Sequence, residues 1–296
     1  MKKFSILTAT YNRATTLPKL YASLCRQEFI DFEWVIVDDG SLDDTEHVVG
    51  KWIKDSKVEI KYFKQSNGGK HRALNAGMKL IDSEWVAIID SDDYITDDCL
   101  DRAAYYIKDL SLDADGSIAG LIFLSQTADG EVVGDSFPFD IYKGKTYEYY
   151  GRYRIKGDKF DFYKTSVLKK FPFPEFEKEK FIAEGVVWNR INKKYNCWFV
   201  NEAHQVVEYQ EGGLSWNSIK LRSESPNGAV TLYAEGIDLN VSLVAKLKYA
   251  SNYFRFIFHG GKSILLDKFS CILIAGVLVG ALLYVKDKFY LSRHSK

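Results

Sequence analysis

The first half of the chain alternates short apolar runs with segments whose apolar residues recur every three or four positions. The runs are brief and rich in β-branched residues, which is typical of strands buried on both faces. The recurring segments are typical of helices, and Leu17, Leu20, Tyr21 and Leu24 keep the spacing of a helix that buries one face. The predicted strands are Phe4–Thr8, Trp34–Val37, about Glu59–Phe63 and Trp85–Ile89.

Four strand–helix repeats predict an α/β fold with a parallel sheet, right-handed crossovers and helices on both faces. Side chains that can cap helices precede three of the periodic segments, and the third helix opens after a Gly-Gly turn. The candidate caps are Thr15 or Thr16, Asp43 or Asp44, and Thr96. Ligands of such folds bind outside the carboxyl ends of the strands, so that edge of the sheet is where chemistry is expected.

Polar clusters follow three of the four predicted strands, at Thr8–Arg13, Asp38–Ser41 and Asp90–Asp93. The remaining strand is followed by a Gly-Gly turn that leads into Lys70 and Arg72. Glycines permit close backbone approach, and a helix N-terminus with nearby cations suits a phosphate group. Because parallel strands end at the same edge, all four groups are expected to lie together.

Three carboxylates, Asp90, Asp92 and Asp93, crowd into four positions directly after the most apolar strand. Such carboxylates repel one another unless a cation lies among them, and hard oxygen ligands suit Mg²⁺ or Mn²⁺ shared with substrate phosphates. A solvated acidic turn is the alternative reading of the same residues. Acids for a metal and bases for phosphate on one edge favour a nucleoside diphosphate ligand.

Composition excludes several classes of function. The 296 residues suffice for one large α/β domain with an appendage, and the 40 basic and 40 acidic residues cancel, so we expect no nucleic-acid partner. The four cysteines are far apart, which indicates a reducing compartment, and the N-terminus carries no apolar signal-peptide segment. The chain contains no P-loop motif, and no G-x-G-x-x-G follows the first strand, which argues against dinucleotide binding.

Four motifs in order carry a family resemblance over roughly the first 110 residues. They resemble the inverting, nucleotide-sugar-dependent glycosyltransferases of family 2, which have the GT-A fold. The resemblance implies a Rossmann-like, mostly parallel central sheet flanked by helices, with a mixed sheet extension. A C-terminal helical tail that associates with membranes is expected separately, from the apolar and aromatic residues near the C-terminus. The motifs are Thr10-Tyr11-Asn12-Arg13, Val37-Asp38-Asp39-Gly40-Ser41, Asn67-Gly68-Gly69-Lys70 with Asn75-Ala76-Gly77, and Asp90-Ser91-Asp92-Asp93.

The resemblance also implies roles for individual residues. Asp39 would accept a hydrogen bond from a uracil-like N3–H, with Asp38 as its structural neighbour, whereas Asp39 could also be a simple turn acid. Asp90 and Asp92 form the family's D-x-D, in which Asp92 contacts Mg²⁺ or Mn²⁺ directly and Asp90 faces the ribose or the metal's water shell. Asp93 is expected either to cap a helix or to ligate the metal. The nucleotide-sugar contacts implied are Thr8, Ala9, Tyr11, Arg13, Asp39, Lys70, Arg72, Asp90 and Ser91.

The family places an acidic general base just before a helix in the second half of the chain. In this chain the apolar residues Val187, Trp188 and Ile191 are spaced along that helix, and Glu184 precedes it. Gly185 stands where relatives often carry a second acid, so Glu184 is the candidate base, and stabilisation of the helix dipole is the alternative. The neighbouring acids Glu175, Glu177 and Glu179 are expected to lie in an exposed connector.

The acceptor half is harder to interpret. Short strand-like runs between about residues 113 and 163 fit the mixed extension, and Cys197–Asn201 and Gln205–Tyr209 are predicted as two short strands. The segment Tyr209–Ser215 resembles a family loop ending in Gly-Leu-Ser that closes over the diphosphate and metal, and a plain glycine loop is the alternative. We expect a catalytic domain at residues 1–220, with nucleotide bound by 1–110 and acceptor by 111–220, and a helical region at 221–296.

The C-terminal tail contains 17 residues without charge, Phe269–Val285, at the low end of a transmembrane span. Gly276 and Gly280 form a small-xxx-small pair, and the upstream segment Tyr249–Phe258 is aromatic and basic, as in an interfacial helix. We expect a monotopic or peripheral anchor on the cytoplasmic face of the cell membrane. A full span and a buried pair of helices are the alternatives.

Together these features predict a metal-dependent inverting glycosyltransferase that uses a UDP-sugar and a glycan or lipid-linked acceptor in cell-surface polysaccharide synthesis. A sugar-phosphate nucleotidyltransferase has a similar sheet, but it usually carries a Gly-rich signature after the first strand, which Ala9–Arg13 lacks. A catalytically inactive, membrane-bound scaffold that binds nucleotide sugars is the second alternative.

Overall fold

A computed structural model of the chain describes residues 1–148, 153, 155–208, 218–263 and 271–294. The chain divides into two compact units. Unit 1 comprises Met1–Pro172 and Lys194–Gln210, and unit 2 comprises Phe173–Lys193 and Glu211–Lys296. The functional boundary expected at residue 220 stays a prediction, and in the structure residues 173–193 group with the C-terminal helices.

Unit 1 is built on a sheet in which nine strands are described, in the order β3-β2-β1-β4-β8-β6-β9-β5, with β7 paired to β9. The strands β1 to β4 pair in parallel, as the four strand–helix repeats predicted. The strands are β1 (Phe4–Thr10), β2 (Phe32–Asp38), β3 (Ile60–Lys64), β4 (Trp85–Ile88), β5 (Tyr94–Ile95), β6 (Ile118–Gln126), β7 (Ile141–Gly144), β8 (Lys159–Lys164) and β9 (Asn196–Val206).

Helices cover both faces of the parallel strands. On one face, α1 and α2 contribute Leu20 and Val49 to a core cluster that also contains Ile6 and Trp34. On the other face, α3 lies so close to β1 and β2 that only glycine fits at Gly77. A Cβ atom at Gly77 would lie 2.3 Å from a methyl carbon of Leu7. The helices of unit 1 are α1 (Leu17–Cys25), α2 (Thr45–Asp55), α3 (Lys70–Leu80), α4 (Cys99–Asp109), α5 (Thr146–Glu148) and α6 (Thr165–Leu168).

The second part of the sheet is mixed, in agreement with the sequence. Strand β8 runs antiparallel to β4 and β6, and β6 runs parallel to β9. The prediction of two short strands after Cys197 was wrong, because β9 is continuous from Asn196 to Val206. The pairing of β6 with β9 contains register shifts, including one between Ile122 and Leu124. These shifts act as β-bulges, so β9 continues through the polar residues that had suggested a break between two strands.

Two predicted helix caps are not supported. Helix α4 begins at Cys99, and the Thr96 hydroxyl instead donates to Asp98 Oδ1 at 2.8 Å and lies 2.9 Å from His204 Nδ1. The residue before α1 is Thr16, but its hydroxyl makes no capping hydrogen bond. Propensity places a capping residue near a helix start, whereas the actual partner is decided by the tertiary neighbours.

In the described residues of unit 2 the regular secondary structure is entirely helical. A buried carboxylate, Glu179, caps the N-terminus of α9 by accepting hydrogen bonds from Asn227 N at 2.8 Å and Gly228 N at 2.9 Å. Glu175 and Glu177 are exposed as predicted, but the expected exposure of Glu179 was wrong because its carboxylate satisfies these helix donors. The helices are α7 (Gly185–Lys194, whose last residue belongs to unit 1), α8 (Ser218–Glu224), α9 (Pro226–Ile237), α10 (Leu243–Phe258) and α11 (Cys271–His294).

The tail forms a hairpin in which α11 packs on α10. The small residues predicted as a helix-contact pair make this contact within the chain: a Cβ at Gly276 would lie 2.7 Å from Ala250 Cβ, and one at Gly280 2.6 Å from the Ser251 carbonyl oxygen. Phe269 and Ser270, the start of the predicted apolar span, lie outside the described residues. None of the helices in the described parts of the chain has the length and apolar stretch needed to cross a membrane.

Candidate functional site

The polar clusters predicted from the sequence meet at the carboxyl ends of β1, β2 and β4 in unit 1. Strand β1 lies between β2 and β4, and its last residue, Thr10, is in register with Asp38. The chain after β3 returns to the same edge, because Gln65 N donates to the Asp38 carbonyl oxygen at 2.9 Å. Parallel pairing therefore places the three acidic or polar strand ends and the start of α3 at one edge of the sheet.

The turns after β1 and β2 are tied together by side chains. Asn12 N donates to Ser41 Oγ at 2.9 Å, and Asn12 Oδ1 accepts from Leu42 N at 2.8 Å. Arg13 N donates to Thr45 Oγ1 at 3.2 Å. Asn12 has a φ of 52°, a left-handed conformation that asparagine tolerates better than most residues. These hydrogen bonds fix the direction in which the chain leaves β1 and hence the location of Arg13.

Asp38 is buried at the end of β2, and both of its carboxylate oxygens accept hydrogen bonds. Its Oδ1 accepts from Ser41 N at 2.7 Å, and its Oδ2 accepts from the Tyr62 hydroxyl at 2.6 Å. Burial, followed by this bond to Asp38, raises the pKa of Tyr62. The structural role expected for Asp38 therefore matches its contacts.

Asp39 is also buried, and donors of the chain itself surround its carboxylate. Oδ1 accepts from Gln65 Nε2 at 2.8 Å and Gly68 N at 2.9 Å. Oδ2 accepts from Gly69 N at 2.7 Å and Asn67 Nδ2 at 3.2 Å. A carboxylate has about four acceptor positions, and here each is directed at a protein donor. Asp39 thus holds the turn that opens α3, in which Gly69 has a φ of 100°. The contact of Asp39 with a base stays a prediction.

The acidic cluster after β4 has a different environment. Lys70 forms an ion pair with Asp90, and Arg13 Nη2 lies 3.9 Å from Asp92 Oδ2. The cations expected near phosphate and the acids expected near a metal are therefore in contact. Burial raises the pKa of Asp92, and the nearby Asp90 charge raises it further. Asp90 and Asp92 are thus held close together, and the nearby cations compensate their negative charge only in part.

Asp93 is the most buried acid of this cluster. Burial, with the charges of Asp90 and Asp92, raises the pKa of Asp93 to about 8. Its Oδ2 accepts from Gln205 Nε2 at 2.8 Å, and its Oδ1 accepts from Glu208 N at 3.2 Å. Asp93 therefore ties the turn after β4 to the end of β9.

The remaining predicted contacts differ in accessibility. Thr8 lies inside β1, where its hydroxyl accepts from Trp34 Nε1 at 3.0 Å, and Ser91 is also buried. Tyr11 is 44% exposed at the tip of the first turn. Arg72 donates to the Gly68 carbonyl oxygen at 2.6 Å and so braces the Gly-Gly turn. Ala9 is partly exposed near the end of β1.

The donor set after β4 has the chemistry that a divalent metal needs. Asp90 and Asp92 offer hard carboxylate oxygens, and their mutual repulsion would be relieved by a cation. Within the described ranges no group of three or more His, Cys, Asp or Glu side chains is arranged to hold a metal ion. A pair of carboxylates suits Mg²⁺, which keeps several waters and takes further oxygens from phosphate.

Glu184, the candidate base, lies in unit 2 directly before α7. Its side chain is half-buried, and its backbone carbonyl accepts from Val187 N at 2.9 Å and Trp188 N at 3.2 Å. The predicted Gly-Leu-Ser loop, Tyr209–Ser215, lies outside the described residues.

Sequence reasoning missed several residues that shape the site. Gln65 and Asn67 hold Asp39, and Gln205 and Glu208 hold Asp93. Asn67 stood inside a recognised motif, but its partner was not apparent. The other three carry no local signal, because they reach the site through pairing of distant strands.

Comparison with known proteins is consistent with this geometry. Residues 5–180 match the profile of the family described as "Glycosyl transferase family 2". The poly(ribitol-phosphate) β-N-acetylglucosaminyltransferase TarS of Staphylococcus aureus is 35% identical over 111 residues, which are 37% of this chain and 19% of TarS. The match therefore spans about a fifth of that relative's length.

Solved structures share the fold over most of the chain. The structure of S. aureus TarS residues 1–349 with UDP-GlcNAc superposes with a TM-score of 0.64 at 20% identity, covering 97% of this chain and 81% of that one. The Pyrobaculum calidifontis mannosyltransferase PcManGT, in complex with GDP-Man and Mn²⁺, gives a TM-score of 0.57 at 15% identity, covering 97% and 88%. At these identities the likeness concerns the fold.

Proposed function

The chain belongs to glycosyl transferase family 2, and from that premise we propose that it transfers a sugar from a nucleotide sugar, a UDP-sugar in particular, to an acceptor hydroxyl with inversion. The observation that carries the proposal is the contact of Lys70 with Asp90 and of Arg13 with Asp92 at the sheet edge. Two cations beside two acids suit a diphosphate bound together with a divalent metal.

The nucleoside would bind beside the first two strand ends. Tyr11 is exposed there and offers an aromatic face to a base, while Asp39 and the backbone near Thr8 and Ala9 would set the base and ribose contacts. Asp39 is already hydrogen-bonded to Gly68 N and Gly69 N, so a base N–H would replace or share one of its four bonds. The TarS structure with UDP-GlcNAc supports the choice of UDP.

Asp92 and Asp90 would hold Mg²⁺ or Mn²⁺, and the Mn²⁺ complex of PcManGT supports this choice. The metal, when bound, would supply positive charge next to the departing diphosphate. Lys70 and Arg72 are positioned at the start of α3, where cations and backbone N–H groups favour phosphate oxygens. Binding of the donor would exchange the Lys70–Asp90 ion pair for contacts with phosphate and metal.

Glu184 would act as the general base. An acceptor hydroxyl is a poor nucleophile until a carboxylate takes its proton in the transition state. A single displacement at the anomeric carbon then forms the new glycosidic bond as the bond to the diphosphate breaks, which inverts the configuration. The resemblance within residues 184–191 and the position at the start of α7 support this assignment.

The acceptor would be a glycan or a lipid-linked sugar in cell-surface polysaccharide synthesis. The TarS relative is named as a poly(ribitol-phosphate) β-N-acetylglucosaminyltransferase, which supports a polymer acceptor here. We place the catalytic region, residues 1–220, at the cytoplasmic face of the cell membrane, with acceptor contacts from residues 111–220.

The test is a thermal-shift panel of UDP-, GDP- and dTDP-sugars with and without Mn²⁺, followed by a donor-hydrolysis assay. We expect a UDP-sugar with Mn²⁺ to give the largest shift. Glu184→Gln should keep that shift and lose transfer, and Asp238→Asn, in unit 2, is its control. Near-normal transfer by Glu184→Gln would remove Glu184 from the mechanism.

The same panel separates the alternatives. Release of pyrophosphate from a sugar 1-phosphate and a nucleoside triphosphate would establish a nucleotidyltransferase instead. Binding of nucleotide sugars without hydrolysis or transfer would indicate an inactive scaffold. Failure of every nucleotide sugar to bind would overturn the proposal as a whole.

A further inference from the structure

One face of α11 exposes a continuous stripe of large apolar side chains. Its members are spaced by three or four residues, so they lie along one side of the helix. They are mostly solvent-exposed although none is polar, and such a contiguous apolar surface marks an interaction site rather than an ordinary protein surface. The stripe consists of Ile274, Leu278, Leu282, Val285 and Phe289, which are 53%, 67%, 72%, 50% and 66% exposed.

The opposite face of α11 already has its partner. Gly276 and Gly280 contact the backbone of α10, and Asp287 on the same face is buried between the two helices. Arg255 Nε donates to Asp287 Oδ2 at 2.6 Å, and His259 Nε2 lies 3.1 Å from the same oxygen. Packing on α10 fixes the rotation of α11, so the stripe must face outward from the hairpin.

The charges beside the stripe are cationic. Helical spacing places Lys288 along one edge of the stripe and Lys286 and Arg293 along the other, and all three are exposed. In the described residues of 243–293 there are seven Lys or Arg side chains and one carboxylate, that of Asp287. Because Asp287 is buried against Arg255, the outer surface of the hairpin has no described anionic side chain.

We propose that the stripe docks α11 on the surface of an anionic lipid bilayer, with the helix axis parallel to the membrane plane. Leu and Phe side chains would enter the acyl boundary, while Lys286, Lys288 and Arg293 extend to the anionic headgroups. This inference does not depend on the nucleotide-sugar site, since it rests on unit 2 alone.

A second copy of the chain fits the stripe less well. Helices that pair through such a seam place the residues flanking it opposite one another, and stable pairs use opposite charges there. In a parallel pair of α11 helices the cations near the C-terminal end, Lys286, Lys288 and Arg293, would face their own copies. In an antiparallel pair they would face residues 271–282, which offer no carboxylate. Like charges would repel, whereas anionic lipid headgroups complement them.

The experiment is flotation of the full chain with vesicles of phosphatidylcholine alone and of an equimolar mixture with phosphatidylglycerol. We expect binding to the anionic vesicles that weakens as salt is added. The double variant L278S/L282S should reduce partitioning about tenfold or more, since each buried leucine contributes strongly to transfer into lipid. Lys286→Gln with Lys288→Gln should weaken binding to anionic vesicles and reduce its salt dependence.

Leu42→Ser is the matched control, because Leu42 is a leucine that is 87% exposed and belongs to unit 1, whereas the hairpin belongs to unit 2. It should bind vesicles like the unmodified chain. Circular dichroism and thermal midpoints verify that the α11 variants remain folded, as expected for substitutions at exposed positions. Absence of binding to anionic vesicles, or equal binding by L278S/L282S, would overturn the proposal. A dimer in solution that L278S/L282S dissociates would assign the stripe to a second copy instead.

Discussion

Two acidic strand ends of unit 1 look alike in sequence and differ in their surroundings. After β2, the carboxylates of Asp38 and Asp39 accept hydrogen bonds from backbone and side-chain donors at nearly every oxygen position. After β4, Asp90 and Asp92 face the side chains of Lys70 and Arg13, and burial with mutual repulsion raises the pKa of Asp92.

The comparison separates acids that build the site from acids that remain available to a ligand. Hydrogen bonds from fixed donors satisfy a buried carboxylate permanently, so removing it leaves donors without partners. Long, flexible cationic side chains neutralise a carboxylate reversibly, since they can move to phosphate when a nucleotide sugar binds. Substitutions at the two strand ends should therefore differ in whether they reduce activity or stability.

Asp92→Asn should abolish most of the transfer activity without loss of stability. We expect the rate to fall about a hundredfold to a thousandfold, or about 3–4 kcal/mol of transition-state stabilisation. The thermal midpoint should stay equal or rise, because the repulsion with Asp90 is removed. Initial rates with a UDP-sugar and Mn²⁺, together with thermal unfolding, measure both quantities. A stable variant with normal rates would place Asp92 among the structural acids.

Asp39→Ala should have its main effect on stability. It leaves Gly68 N, Gly69 N and two side-chain donors without their acceptor in a buried place, and we expect a loss of about 3 kcal/mol in the free energy of unfolding. Urea unfolding measures it, with Asp92→Ala as the matched substitution at the other strand end. Equal losses in the two variants would contradict the distinction between these strand ends.

UDP with Mn²⁺ should stabilise the chain through the second cluster. A ligand present at about a hundred times its dissociation constant adds about 2.7 kcal/mol to the stability. Thermal shift of the unmodified chain should show this gain, and Asp92→Asn should lose most of it. If Mn²⁺ changes nothing in the presence of UDP, nucleotide binding does not use the metal at Asp92.

Tyr62→Phe should give the smallest effect. It removes the hydroxyl that donates to Asp38 Oδ2 at 2.6 Å and should cost about 1.5 kcal/mol of stability. Tyr105→Phe is its control, since Tyr105 is 50% exposed, and it should change stability by about 0.5 kcal/mol or less. A loss no larger than the control would mean that Ser41 N and the Lys64 ammonium, 4.0 Å from Asp38 Oδ2, satisfy Asp38 without the Tyr62 hydroxyl.

Much of the fold follows from local pattern. The runs that became β1 to β4 are short and apolar, and the periodic segments between them became helices packed on both faces. The continuous course of β9 could not be predicted, because it depends on pairing with β6 and on bulges that accept polar residues. Helix starts were also misplaced where tertiary hydrogen bonds outweighed capping propensity, as at Thr96.

The set of acids and bases that share one edge of the sheet follows from the sequence, because parallel strands with regular crossovers end at the same side. Which of those acids are held by fixed donors depends on contacts that form when the chain folds. The sequence predicts a base-binding or turn acid at Asp39 and an exposed acid at Glu179, yet backbone N–H groups 30 and 49 residues away bind them. Those donors are present at almost every residue, so no sequence pattern marks them, and only folding directs particular ones at a particular carboxylate.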